Sequence, residues 1–229
     1  MDLNTKPAHP EISQQTIKLF IGLIALTLAL LTGIYSGGAI DSISASYHYG
    51  GTARDIFVGF LLIIFGFLFA YNGKSLLELG LSKAAAIAAL GVAFFPCQCE
   101  KYLAKLSNKG CISADDLSNA HGISALIMFA ILATFCIIFY NRAKKKIGKH
   151  PKAKIRKNVY ATCFVIIVAS ILTLLLDGLF GGFISKTIVN LTYIGEAASL
   201  VAFGVAWLTA SRMLLWITDE DERFSLYPF

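Results

Sequence analysis

The sequence predicts an all-α fold: an integral membrane bundle of six transmembrane helices with both termini in the cytoplasm. Three observations carry this reading. The 229 residues are 56% hydrophobic and only 15% charged, with a mean hydropathy of +0.68, far from the balance of a soluble domain. Uncharged apolar runs of about 20 residues, the length that crosses a bilayer, recur along the whole chain. The basic residues are spread very unevenly between the connecting segments. The same composition excludes a disordered chain, a coiled coil and a secreted disulfide scaffold.

The spans cover roughly 19–36, 56–71, 79–95, 123–140, 159–176 and 191–216, and they make one domain of residues 1–229. The first follows a short polar arm carrying Lys6 and Lys18. Its apolar run is longer than the core of a cleaved signal peptide, so it reads as a retained anchor. After the second, Ile56 to Tyr71, the third has the shortest apolar core, Ala84 to Phe95; Leu79 to Leu81 extend it at one end and Pro96 stops it at the other. The fourth and fifth flank the basic run RAKKKIGKHPKAKIRK, and the sixth ends at Trp216. Such segments are helices because bilayer hydrocarbon leaves each backbone amide to be satisfied within its own segment, whereas barrel strands are shorter and alternate. Small residues recur at helical spacing, as Ala84, Ala85, Ala88 and Ala89, and as Gly195, Ala198, Ala202 and Ala206. Stripes of this kind let helices approach closely in lipid.

Charge sets the orientation. Nine of the 20 Lys and Arg residues lie between Arg142 and Lys157. With the N-terminus inside, fifteen basic residues fall on the cytoplasmic side and five outside: Arg54, Lys101, Lys105, Lys109 and Lys186. The acidic tail DEDER does not weigh against this, since Asp and Glu contribute little to the rule. A net charge of +6 concentrated in one short loop is thus a topological signal, and no nucleic-acid partner is expected. The expected location is a bacterial inner membrane, with membrane lipid as the partner; the sequence carries no signal for oligomeric state.

Ionisable groups at membrane depth are costly, so their heights along the helices are informative. Asp55 lies 19 residues before Lys74, His121 lies 21 before Arg142, and Asp177 lies 20 after Lys157. Each separation is about 30 Å of helix, which puts all three at the outer mouth. Glu196, 16 residues before Arg212, is about 24 Å away and so set slightly into the outer leaflet. The first outer loop, DSISASYHYGGTARD, adds Ser44, His48 and Arg54 at the same level, and its Gly-Gly turn and small polar residues suit it to fold back into the mouth. Ser44, His48, Arg54, Asp55, His121, Asp177 and Glu196 therefore form the candidate ligand pocket, with Arg54 the simplest partner for Glu196.

Two His residues and a carboxylate can hold zinc and activate water, which makes His48, Asp55 and His121 candidate metal ligands. No HExxH, CxxC or HxxxH spacing supports them. A Ser44, His48, Asp55 triad is a further arrangement, although their spacing does not require the side chains to meet. Cys136 and Cys163 fall inside spans and read as packing residues. Cys97, Cys99 and Cys111 share the longest outer loop. An oxidising compartment favours a disulfide from Cys111 to Cys97 or Cys99, with zinc binding by the three as an alternative. The intervening EKYLAKLSNKG is a candidate short helix over the mouth.

The stretch SISASYHYGGTARDIFVGFLLIIFGFLFAYNG resembles a group of bacterial six-helix membrane proteins of unknown function, loosely related to the DRAM and Sfk proteins. HGISALIMF and GEAASLVAFGVAWL extend that resemblance loosely. It implies a six-helix bundle. A second resemblance is to the CREST membrane hydrolases, whose metal site uses a Ser-xxx-His, an Asp opening the next helix and a later His-xxx-His. Ser44-Ala-Ser-Tyr-His48 and Asp55 match the first two elements; the third is missing, the last span carries Glu196 instead, and those proteins have seven spans. That resemblance implies zinc and amide hydrolysis, with Ser44, His48 and Asp55 at the matching positions; read from the residues themselves, a metal-dependent lipid hydrolase would use His48, Asp55 and His121 as ligands, Ser44 in support and Glu196 as general base. The leading expectation is an outward-facing polar pocket that binds a lipid headgroup or small polar ligand; the alternative is the metal-dependent hydrolase.

Overall fold

The structure, a computed structural model, describes residues 13–38, 40–97 and 115–223. Six long helices dominate it: α1 (Gln14–Tyr35), α3 (Gly51–Ala70), α4 (Leu76–Phe94), α5 (Asp115–Lys144), α6 (Ala153–Leu179) and α7 (Leu191–Ser211). A four-residue helix, α2 (Ser46–Tyr49), precedes α3, and a short 3₁₀ turn spans Glu220–Glu222. All six are long and apolar enough to cross a membrane. The chain is therefore a multi-pass membrane bundle, with no strand among the described residues. Each long helix packs on the next in chain order, and α1 closes the ring by packing on α7. Short connections between antiparallel neighbours favour that arrangement.

Local sequence fixes the helix ends. Ser13 caps α1 by accepting from Thr16 N at 3.0 Å. Ser75 caps α4 by accepting from Glu78 N at 3.3 Å, while its hydroxyl donates to the Glu78 carboxylate at 3.3 Å. The Ser75 hydroxyl thus ties the first turn of α4 in both directions. α4 stops at Phe94, just ahead of Pro96, because the residue before a proline is driven out of the helical region. α7 ends at Ser211, five residues short of the expected Trp216. Arg212 turns into the left-handed region at φ 65°, and its guanidinium reaches Glu222 at 2.8 Å.

The return segment after α7 packs against the basic loop. Arg156 is fully buried, donating to the Ile217 carbonyl at 2.9 Å and pairing with both Asp219 and Glu222. Lys146 also pairs with Glu222. Burial alone would raise the Glu222 carboxyl, but the Lys146 hydrogen bond and the charges of Arg212 and Arg156 hold it below the usual range. The acidic tail thus neutralises part of the basic loop.

Close packing of α1 on α7 rests on two glycines. A Cβ on Gly22 would sit 2.9 Å from the Gly204 carbonyl oxygen, and one on Gly204 would sit 2.9 Å from the Gly22 carbonyl oxygen. Backbone cannot yield as a flexible side chain can. Gly22→Ala should therefore destabilise the bundle by about 2 kcal/mol. Gly66→Ala, at an exposed site where a Cβ meets nothing within 4 Å, should be neutral or slightly stabilising. Thermal unfolding of the two variants in detergent checks the contrast. On α4 the buried stripe is Ala85, Ala86, Ala88, Ala89 and Ala93, with Ala84 outside it.

Candidate functional site

The loop before α2 folds back into the end of the bundle opposite the basic loop. Tyr193 N donates to the Asp41 carbonyl at 3.0 Å, which fixes the loop on α7. The next three residues then wrap the Glu196 carboxylate. Oε2 accepts from Ser42 Oγ at 2.8 Å and from Ile43 N at 2.6 Å, with Ser44 N at 3.4 Å; Oε1 accepts from Ser44 Oγ at 2.7 Å. Ser42, Ile43 and Ser44 are all buried, so these donors have left water for the carboxylate. The chain leaves α2 through Gly50 and Gly51, at φ 78° and 57°, a pair of left-handed positions that glycine adopts without strain.

Both histidines pin the corner that ends α4. His48 Nε2 donates to the Cys97 carbonyl at 2.7 Å and His121 Nδ1 to the Phe95 carbonyl at 2.8 Å. A carbonyl can only accept, so each of these ring nitrogens carries its hydrogen. His48 Nδ1 is buried with no hydrogen-bond partner.

Of the seven expected pocket residues, Ser44, His121, Asp177 and Glu196 line one cavity of about 220 Å³, joined by Cys97 and Thr192. His48 is not in its lining, but its Nε2 donates to the carbonyl of the lining residue Cys97. Arg54 does not pair with Glu196; its guanidinium stacks over the Tyr47 ring at 4.6 Å, and the loop donors occupy the carboxylate instead. Asp55 faces outward from α3 and is exposed. Asp177 holds the turn after α6, accepting from Ile184 N and Ser185 N at 2.9 Å each.

His48, Asp55 and His121 are not brought together. Asp55 is on the outside, and each histidine spends a ring nitrogen on a backbone carbonyl. Among the described residues, the one trio of His, Cys, Asp or Glu with donor atoms within 4.8 Å of one another is His150, Asp219 and Glu222. There the carboxylates are already engaged by Arg156 and Arg212. The Ser44, His48, Asp55 triad fails for the same reason, since Asp55 is exposed and Ser44 donates to Glu196.

Cys97 corrects one disulfide expectation. It is a free, buried thiol in the cavity wall, so its pairing with Cys111 is not formed. Burial first, and the Glu196 charge second, push this thiol up to about 12, which keeps it protonated and inert. Cys99, Cys111 and the candidate EKYLAKLSNKG helix lie outside the described residues.

The rest of the cavity was not anticipated from the sequence. Leu126 and Phe129 of α5 face Ile171, Leu174 and Leu175 of α6 across it. Leu126 and Leu175 are 40% and 42% exposed, so this side of the cavity reaches the surface of the bundle. Among the described residues its lining includes two carboxylates and no Lys or Arg. No protein-family model, no curated protein and no solved structure matches the chain.

Proposed function

We propose that the protein is a multi-pass inner-membrane protein that binds an amphiphile through the cavity between α5, α6 and α7. The observation that carries the reading is the division of that cavity. Ser44, His121, Thr192 and Glu196 make a polar end, while leucine, isoleucine and phenylalanine side chains make the side that reaches the bundle surface. An amphiphile laid in it keeps its head on hydrogen-bonding groups and its chain against apolar walls. The Asp177 and Glu196 carboxylates in the lining favour a head that bears hydroxyl or amine donors. On the orientation read from the basic residues, this end faces away from the cytoplasm.

Delipidated protein titrated with a monoacylglycerol, whose head offers two hydroxyls, tests the reading by thermal stability. Wild type should be stabilised saturably. Gly122 lines the cavity, and a Cβ there meets nothing within 4 Å, so Gly122→Trp should fill the space without disturbing the fold and abolish the stabilisation. No stabilisation of wild type, or equal stabilisation of both proteins, would overturn the proposal.

A further inference from the structure

The opposite end of the bundle carries a second cavity of contrary charge. About 250 Å³ in volume, it lies among α1, α5, α7 and the return segment. Lys18, Lys74, Arg142, Lys146 and Arg212 line it, against the carboxylates of Asp221 and Glu222. Three of these cations are accounted for: Arg142 pairs with the buried Glu78, and Lys146 and Arg212 pair with Glu222. Asp221 lies 3.3 Å from His150.

Lys18 is different. Its side chain is only 7% exposed, and among the described residues it has no carboxylate partner. Its ammonium lies 5.5 Å from the ring centroids of both Tyr71 and Phe139. Cation–π contacts offset part of the cost of removing an ammonium from water, and a counter-charge at this position would offset more of it. Lys74, on the rim, is exposed and also without a carboxylate among the described residues. Two uncommitted ammonium groups, with guanidinium groups beside them, converge on a space that holds several water-sized groups. That arrangement suits a compact anion with several oxygens and more than one negative charge.

We propose that this basic cavity is a binding site for a phosphate group, with Lys18 as its buried anchor and Lys74 at its entrance. The phosphate comes either from a lipid head or from a soluble phosphate, because Lys18 lies one turn into α1 and is level with the headgroups on the side read as cytoplasmic. The site is independent of the cavity at the other end.

The test uses full-length, delipidated protein in a non-ionic detergent and phosphate-free buffer. Thermal stability is followed against inorganic phosphate, lysophosphatidic acid and, as control, chloride of equal ionic strength. At least one phosphate ligand should stabilise wild type saturably and beyond chloride. Lys18→Met, of similar length and uncharged, should weaken that ligand about tenfold, the loss of one charge-assisted hydrogen bond. Lys74→Gln, at an exposed position that leaves folding intact, should weaken it about threefold by the same mechanism at a wetter site. Stabilisation by inorganic phosphate assigns a soluble ligand or the bare phosphate group; stabilisation by lysophosphatidic acid alone assigns a lipid head. If neither ligand exceeds chloride, or if Lys74→Gln and a folded Lys18→Met bind as wild type does, the proposal is wrong.

Discussion

Glu196→Ala should destabilise the protein by about 4 kcal/mol, because it strands several buried donors that each cost roughly 1–3 kcal/mol when left unpaired. Those donors are Ser42 Oγ, Ile43 N and Ser44 Oγ, all buried on the loop that the Tyr193–Asp41 backbone bond also ties to α7. Glu196→Gln should be far milder. Its amide oxygen can take the Oε2 position and keep the Ser42 and Ile43 bonds, while its NH₂ donates to Ser44 Oγ in place of Oε1. Only charge assistance is lost, about 1 kcal/mol. Arg54→Gln should be neutral within about 0.5 kcal/mol, as Arg54 rests on Tyr47 and not on the carboxylate. Unfolding of the three variants in detergent separates a loop clasp from an Arg54–Glu196 ion pair, which would make Arg54→Gln as harmful as Glu196→Ala.

Arg142→Met should cost about 3–5 kcal/mol, the penalty for leaving a buried charge unpaired. Its partner Glu78 is 2% exposed and otherwise receives only Tyr71 OH at 3.2 Å, Lys74 N at 3.2 Å and Ser75 Oγ at 3.3 Å. Neutralising the stranded carboxylate in the double variant Arg142→Met/Glu78→Gln should restore more than half of the loss, since glutamine keeps an acceptor for the α4 cap. Equilibrium unfolding of wild type, the single variant and the double variant provides the comparison. A single variant within 1 kcal/mol of wild type would show that the pair is hydrated and not buried.

The six helices were legible because each carries an apolar run near bilayer length, but their ends were not. α5 begins at Asp115 and α6 at Ala153, eight and six residues outside the apolar cores that hydropathy reads, Ile123 and Val159. A helix continues into water wherever its backbone bonds remain satisfied, and polar residues do not stop it. Helix rise placed Glu196 and His121 at the right end because it fixes height. It does not fix azimuth, which is why Asp55, on the same level, turned out to face outward. The partners of Glu196 were hidden for another reason: one of them is a backbone amide, and Ile43 carries no mark of it in the sequence. Lys18 and Arg142 were read only as topological anchors. The Ser75-Leu-Leu-Glu78 spacing, a helix-start signal not used in the sequence reading, could have marked Glu78 and, through it, the inner polar cluster.

Photolabelling tests the central claim, an amphiphile site between α5 and α6, most directly. A monoacylglycerol with a diazirine on its acyl chain is equilibrated with the purified protein, irradiated, and the modified peptides are sequenced. The account predicts labelling concentrated on residues 122–129 and 171–175, the two apolar walls, and its removal by excess unlabelled monoacylglycerol. Labelling scattered over exposed apolar positions such as Leu76, Phe94 and Leu179, unaffected by competitor, would contradict it.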